Sequence, residues 1–451
     1  MGAVEKSGTQ AVEVLTELVA RAKRKGATAA EAMLVDHVSM SVSQRLGERE
    51  NLGRSEGRDV GLRVFVGQRQ AMVSTSDTTP ATLETLLDRA LSMARAAPEE
   101  PYCGLAEPML LARHLPRLDL LDPTEVTGDQ LYERAAEIED AARAVKGVSN
   151  SEGAGASWRR GENTLVTSDG FVGTTAGSMF SGGVSVVAGT GTGMETDHAS
   201  TRARYEEDLE GNADIGKEAG ERAVKRLNPR KLDSMSVPVV FEPRLSNSIL
   251  GHLIGAINGP SIARGTSFLR KDLGNEVFGN DVTIVDDPHR LRGLGSRPFD
   301  AEGVATKNMA LIEDGVLKTW LLSSASAKQL GLRTTGHAAR GLGSPPSPSP
   351  SNLYMEPSEV TPDELMADIK LGVFLTDLIG FGVNMVTGDY SRGASGFLIE
   401  NGKRTAAISE FTIAGNLRDM FRAVRPASDL EFRYGSNAPT LRIDGMTVAG
   451  K

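Results

Sequence analysis

The chain has 451 residues with 24% charged, 39% hydrophobic and 5% aromatic side chains and a formal net charge of −9. That is the composition of an ordinary globular protein of about two to three domains. It argues against a disordered chain and against a surface that coats nucleic acid through positive charge. One cysteine, Cys103, and six histidines, His37, His114, His198, His252, His289 and His337, are the only thiol or imidazole ligands present. An intrachain disulfide and an all-cysteine zinc site are excluded.

Behind Glu5 and Lys6 no apolar run of signal-peptide type follows. No window approaches the ~18 uncharged apolar residues of a spanning helix, and the longest candidate, Leu371 to Val386, is broken by Asp377 and glycines. A cytoplasmic protein with no membrane and no nucleic-acid partner is expected.

Val12, Leu15, Leu18, Val19 and Ala22 recur at helical spacing and predict an amphipathic helix over Thr9 to Lys25, stopped by Gly26. Val38, Met40 and Val42 alternate with serines, and Val60, Leu62, Val64 and Val66 alternate before a turn and a return through Ala71 and Val73. These are strands, the second pair a hairpin. A second helix starts at Pro80 and ends at Pro98. A proline-rich connector follows to Pro123, then a third helix from about Gly128 to Val145. From Val148 to Gly193 alternation and Asp-Gly and Gly-Gly turns predict an antiparallel meander, and a helix from about Asp214 ends before Asn228-Pro229. The strand Val237 to Phe241 leads into a helix from about Arg244 to Ile257. Short β segments follow near Val282 to Val285, Met309 to Glu313, Val316 to Leu321, Gly396 to Glu400 and Thr405 to Ile413.

The fold class is α+β: an N-terminal helix and antiparallel-sheet region, then a β-rich C-terminal domain with a helix near its start. The expected divisions are an α+β subdomain over 1–100, the connector over 101–123, a second α+β subdomain over 124–233 and the C-terminal domain over 234–451.

Few constellations carry chemistry. The two closest histidines, His252 and His289, are 37 residues apart, so no local two-histidine chelate exists. Asp286, Asp287 and His289 offer oxygen and nitrogen ligands, although a polar turn after a strand is the plainer reading. Gly189 to Gly193 follows a strand but lacks the Lys-Ser/Thr pair and helix of a phosphate loop, which makes it a hairpin tip. Ser395 lacks the frame of a nucleophile elbow, and Cys103 has no basic neighbour in sequence to activate it. Ser344 to Asn352 is a stiff polyproline strap with unpaired carbonyls. Asn384 to Phe397 is dense in glycine and in polar side chains, as are loops that bind extended backbones.

These last segments carry a resemblance. Gly336-His337-Ala338 leading into the strap, Gly388-Asp389-Tyr390-Ser391-Arg392-Gly393-Ala394-Ser395-Gly396-Phe397, Ile399-Glu400-Asn401-Gly402 and Phe411-Thr412-Ile413-Ala414-Gly415-Asn416-Leu417 closely resemble the TldD/PmbA family, specifically its PmbA (TldE) branch. The resemblance runs from the first helix to Val448-Ala449-Gly450. It implies a two-subunit cytosolic zinc metalloprotease, once labelled a modulator of DNA gyrase, that cleaves unfolded or extended peptides. In the catalytic TldD branch an H-E-x-x-x-H helix and a C-terminal cysteine hold the zinc. In register, the first His falls on Leu250, the Glu on Gly251, the second His on Gly255 and the cysteine on Tyr434, so all four positions are vacant here. A catalytic zinc needs about three protein ligands.

The resemblance therefore implies a non-catalytic subunit with no cofactor of its own, completing a peptide chamber around zinc on a TldD-type partner, or a homodimer when isolated. His337, Asn352, Asp389, Tyr390, Ser391 and Arg392 are the candidates for substrate or partner contacts. Two other readings stand beside it: a stand-alone binding or assembly protein of the gyrase-modulator kind, and an autonomous hydrolase built on Asp286, Asp287 and His289.

Overall fold

The computed structural model describes residues 2–450, and of residues 2–8 the backbone only, so the reading of the first eight side chains lies outside it. In chain order the first elements are α1 (Gly2–Arg24), β1 (Ala29–Arg45), β2 (Glu48–Val66), β3 (Arg69–Thr75) and α2 (Pro80–Ala96). After the connector come α3 (Gly128–Arg143), β4 (Val148–Thr167), β5 (Val172–Ala188), β6 (Glu195–Ala203) and α4 (Asn212–Lys225).

All six strands belong to one antiparallel sheet in the order β3-β2-β1-β4-β5-β6. The two N-terminal α+β units thus share a sheet, joined where β1 pairs β4 from Glu31↔Thr167 to Gln44↔Ala154. Even-numbered positions of β1 point to one face along its whole length. Near its start, Ala30, Ala32 and Leu34 pack with Leu15, Leu18 and Val19 of α1 and Leu83, Leu87 and Leu91 of α2. Further along, Val42 packs with Leu131, Ile138 and Ala142 of α3 and Ile215 and Ala219 of α4. Each large aliphatic side chain so buried contributes about 1.5–3 kcal/mol. On α4 a Cβ at Gly216 would lie 2.2 Å from the Ile138 carbonyl oxygen, so only glycine allows this close approach of α3 and α4. A capping box of Thr127 and Gln130 starts α3.

The opposite face of the sheet meets the C-terminal domain at one end only. There Leu165 and Phe171 pack on Phe299, and Arg340 Nη1 donates to Glu31 Oε1 at 2.7 Å. The same oxygen accepts from Arg63 Nη1 at 3.0 Å. All three side chains are at most 3% exposed. Elsewhere this face is lined by Ser39, Ser41, Gly155, Ser157, Ser181 and Gly183, which no helix covers.

The C-terminal domain continues with β7 (Met235–Phe241), α5 (Pro243–Ala256), α6 (Gly259–Ala263), β8 (Ile284–Asp286), β9 (Met309–Glu313), β10 (Val316–Leu317) and α7 (Ser324–Leu330). Then come β11 (Ala338–Ala339), β12 (Ser347–Pro348), β13 (Leu353–Met355), α8 (Pro362–Met366), β14 (Leu371–Val383), β15 (Asp389–Glu400) and β16 (Lys403–Asn416). The last are α9 (Leu417–Ala423), β17 (Val424–Pro426), β18 (Ser436–Asn437) and β19 (Leu441–Ala449). The long strands run β16-β15-β14-β7-β19-β17, and a further pairing of β16 with β19 at Ile413↔Val448 closes five of them into a ring. The short strands form a second sheet, β10-β9-β8-β13-β18. One core unites ring, α5, α9 and small sheet through Phe241, Leu250, Leu253, Ile312, Leu353, Ile413 and Phe421.

This is the expected α+β fold with a β-rich C-terminal domain. Two local expectations change. Much of the glycine-dense stretch after Asn384 is the strand β15, irregularly paired near Gly396, rather than a loop, and Asp286 closes a buried strand rather than opening an exposed turn. No helix among the described residues is long and apolar enough to cross a membrane.

Candidate functional site

The site is organised by α5. Pro243 sits in its first turn, where a missing N–H costs nothing, and Ile249, Leu250, Leu253 and Ala256 drive one face into the common core. The other face carries Gly251 and Gly255. A Cβ at Gly251 would meet nothing within 4 Å, and one at Gly255 would lie 3.1 Å from Met385 Cε. Asn247 on the same helix accepts the Ala438 N–H at 3.0 Å, which holds the segment after Tyr434 against α5.

The metal expected of the catalytic branch does not fit these residues. Leu250 is an alkyl group with no exposure, Gly251 and Gly255 have no side chains, and Tyr434 offers a partly exposed phenol. His252 is the nearest imidazole in sequence. Burial, aided by the charge of Arg392, pushes its pKa down to about 4, so it is neutral at pH 7. Its ring stands edge-on to Tyr390 at 5.7 Å, and no second His, Cys, Asp or Glu joins it: the described residues contain no group of three or more such side chains able to hold a metal.

Beside Tyr434 lies a cavity of about 660 Å³ between the central sheet and the C-terminal ring, lined among others by Asp197, Arg226, Arg244, Asp377 and Tyr434. Its ions are paired across the two layers. Buried Asp197 of β6 accepts from Arg244 Nη1 at 2.7 Å and Nη2 at 3.1 Å and from Arg226 Nη1 at 3.4 Å. Burial works to raise the Asp197 pKa, but the Arg244 hydrogen bonds and charge outweigh it and hold the carboxyl below its usual range. Arg226 also donates to Ser395 Oγ at 2.9 Å, and Arg244 to the Thr376 carbonyl at 2.9 Å. Sequence reasoning missed this network because its members lie far apart along the chain. Ser395 is revealed as a buried hydrogen-bond partner of an arginine.

The six predicted contact residues separate into two groups. His337 and Asn352 are each 2% exposed. His337 Nε2 lies 3.1 Å from Asp286 Oδ2, which also accepts the Ser351 hydroxyl at 2.6 Å, while Asp286 Oδ1 accepts the Ser351 N–H at 2.7 Å. Asn352 accepts from Gly295 N and donates to the Asp287 carbonyl and Ser296 Oγ. Their polar atoms are bonded inside the fold, and Asn352 also lines a small recess beside Phe432. The strap corrects likewise: the Pro348 carbonyl accepts from Asn258 Nδ2 at 3.2 Å and the Ser349 carbonyl from Arg297 Nη2 at 2.6 Å, so these oxygens are taken. Tyr390 is a 2% exposed core residue, because strand alternation in β15 turns it inward while Asp389 and Ser391 face out. Those two remain at the surface of the hairpin, whereas half-buried Arg392 lies on the Tyr390 side, donates to the Leu378 carbonyl at 3.2 Å and leaves its Nε buried without a partner. The hairpin also exposes Phe381 (98%) and Ile379 (64%), which hydropathy alone reads as interior.

Asp286, Asp287 and His289 do not converge. Asp286 points to His337, the Asp287 carboxylate accepts the His289 N–H at 2.9 Å, and the His289 ring bonds Thr306 Oγ1 at 3.0 Å.

The fold is a two-part α+β scaffold, and Leu250, Gly251, Gly255 and Tyr434 on and beside α5 offer no set of metal ligands. Models of the PmbA/TldA metallopeptidase match at domain 1 (residues 30–94), the central domain (121–227) and the C-terminal domain (234–450). The chain belongs to the PmbA/TldD metallopeptidase family. It is 36% identical to the metalloprotease PmbA of Escherichia coli O157:H7 over 98% of this chain and 96% of that one. It is 35% identical to the PmbA homolog of Haemophilus influenzae over 99% and 97%. Among solved structures, a candidate modulator of DNA gyrase from Bacteroides thetaiotaomicron superposes with a TM-score of 0.89 at 26% identity, covering 97% of this chain and 98% of that one. TldE from Thermococcus kodakarensis shares the fold with a TM-score of 0.85 at 19% identity over 97% and 100%.

Proposed function

We propose that this chain is the non-catalytic subunit of a two-subunit PmbA/TldD-type metallopeptidase. It completes a chamber for extended peptides around zinc carried by a TldD-type partner in the cytoplasm. Family membership places the chain in proteolysis. The observation that carries the finer reading is the donor set: alkyl, hydrogen, hydrogen and phenol at Leu250, Gly251, Gly255 and Tyr434. Zinc-activated water requires about three imidazole, thiolate or carboxylate ligands, and no substitution of rotamers supplies them here.

What remains is a surface for holding a chain. The bare serine- and glycine-lined face of the large sheet, the open face of α5 and the cavity beside Tyr434 leave room for an extended peptide, which backbone hydrogen bonds at a sheet edge would hold. Co-expression with a TldD-type protein tests the proposal. The two are expected to co-purify, with peptide hydrolysis only in the mixture. Failure of a co-resident TldD-type protein to associate or gain activity favours the stand-alone binding role instead.

A further inference from the structure

A second cavity, of about 250 Å³, opens where the end of β6 meets the C-terminal domain, and Tyr434 lines it too. Four arginines, Arg202, Arg204, Arg290 and Arg292, line it together with Asp208 and Phe432. Only Arg292 is neutralised, by Asp119 at 2.8 Å, Glu207 at 2.7 Å and Asp208 at 3.1 Å. Arg204 gives all its bonds to carbonyls: Gly293 at 3.3 Å, Leu294 at 2.6 Å and Ser178 at 3.2 Å. Burial, with Arg159 nearby, lowers its pKa, and no carboxylate among the described residues pairs with it. Arg290 lies over the Phe432 ring at 3.5 Å. Neither Arg290 nor Arg202 forms an ion pair among the described residues.

Four guanidinium groups against the three carboxylates held by Arg292 leave the recess net positive, and a further anion would offset that charge. The planar fork of arginine matches a carboxylate in paired hydrogen bonds. The volume admits one such group with a short side chain but is too small for a nucleotide, and Phe432 and Tyr434 supply apolar wall. We infer that this recess binds a carboxylate of the peptide chain, either its C-terminal group or an aspartate or glutamate side chain. The inference rests on the peptide-binding reading above and adds a charge preference to it.

The test is binding of a labelled decapeptide to the full-length chain, in four forms: acidic with a free C-terminus, acidic and amidated, glutamine-substituted with a free C-terminus, and glutamine-substituted and amidated. Glutarate and inorganic phosphate are titrated alongside. The first form is expected to bind at least about tenfold tighter than the last. Arg202→Gln, at an exposed position that folding does not need, and Arg290→Gln are both expected to abolish the difference. The two intermediate forms tell which carboxylate is held. Equal affinity for all four peptides overturns the inference and leaves peptide binding standing. Arginine-dependent binding of glutarate with no peptide binding overturns the peptide reading and, with it, the assignment of the recess to a peptide carboxylate. Arginine-dependent phosphate binding tighter than glutarate assigns the recess to phosphate and overturns it as well, as does no binding of any probe.

Discussion

The imidazole of His252 stands edge-on to the ring of Tyr390 at 5.7 Å, and neither His252 Nε2 nor the Tyr390 hydroxyl is bonded to any group of the chain. Two buried polar atoms are thus left without partners, and each unmade hydrogen bond costs about 1–3 kcal/mol. Burial pushes the Tyr390 pKa up to about 12, so the phenol stays protonated. Tyr390→Phe is expected to leave stability unchanged or raise it by up to about 1 kcal/mol in urea unfolding. A loss above about 2 kcal/mol would show that the hydroxyl has a partner in solution.

His252 also sets an acid limit. Its folded pKa of about 4 lies below the value of about 6.5 in an unfolded chain, so the unfolded state binds the proton first. Its contribution is complete above pH about 6.5 and is lost as pH falls from there toward 4, by up to about 3 kcal/mol. Unfolding at pH 7 and pH 4.5 should therefore differ less in His252→Leu than in the parent chain. An unchanged difference would contradict a neutral buried imidazole.

Glu31 joins the large sheet to the C-terminal domain through Arg63 and Arg340, all three side chains buried. Glu31→Ala strands two guanidinium groups and is expected to cost about 3–5 kcal/mol. Thermal unfolding would show it as a fall in Tm. A change below about 0.5 kcal/mol would mean that water reaches this junction.

Phe381 and Phe421 are the same residue type in opposite settings. Phe421 is fully buried and stacked on Phe278 at 4.6 Å, so Phe421→Ala should cost about 3–5 kcal/mol. Phe381 is 98% exposed, and Phe381→Ser should shift the stability of the isolated chain by less than about 0.5 kcal/mol.

Local periodicity made α1, α2, α3 and the β5–β6 hairpin tip at Gly189 to Gly193 legible, because an amphipathic helix or a hairpin writes its pattern within a few turns of chain. Pairings between distant segments are not written that way. Nothing in the stretch from Ala29 or from Thr164 alone says that β1 lies beside β4, and the closure of the ring at Ile413 and Val448 depends on strands either side of it. The site divides on the same line. That Leu250, Gly251, Gly255 and Tyr434 cannot ligate zinc could be read from residue types once the resemblance had singled out those positions. That Tyr390 points inward required the phase of β15, and the occupied strap carbonyls required Asn258 and Arg297, which come from other parts of the domain.

The most direct test of the central proposal is the zinc content and peptidase activity of the purified full-length chain, alone and after mixing with a TldD-type subunit. The chain alone is predicted to hold no stoichiometric zinc and to leave an extended peptide intact, while the mixture cleaves it. About one zinc per chain, together with hydrolysis by the chain alone, would contradict the proposal.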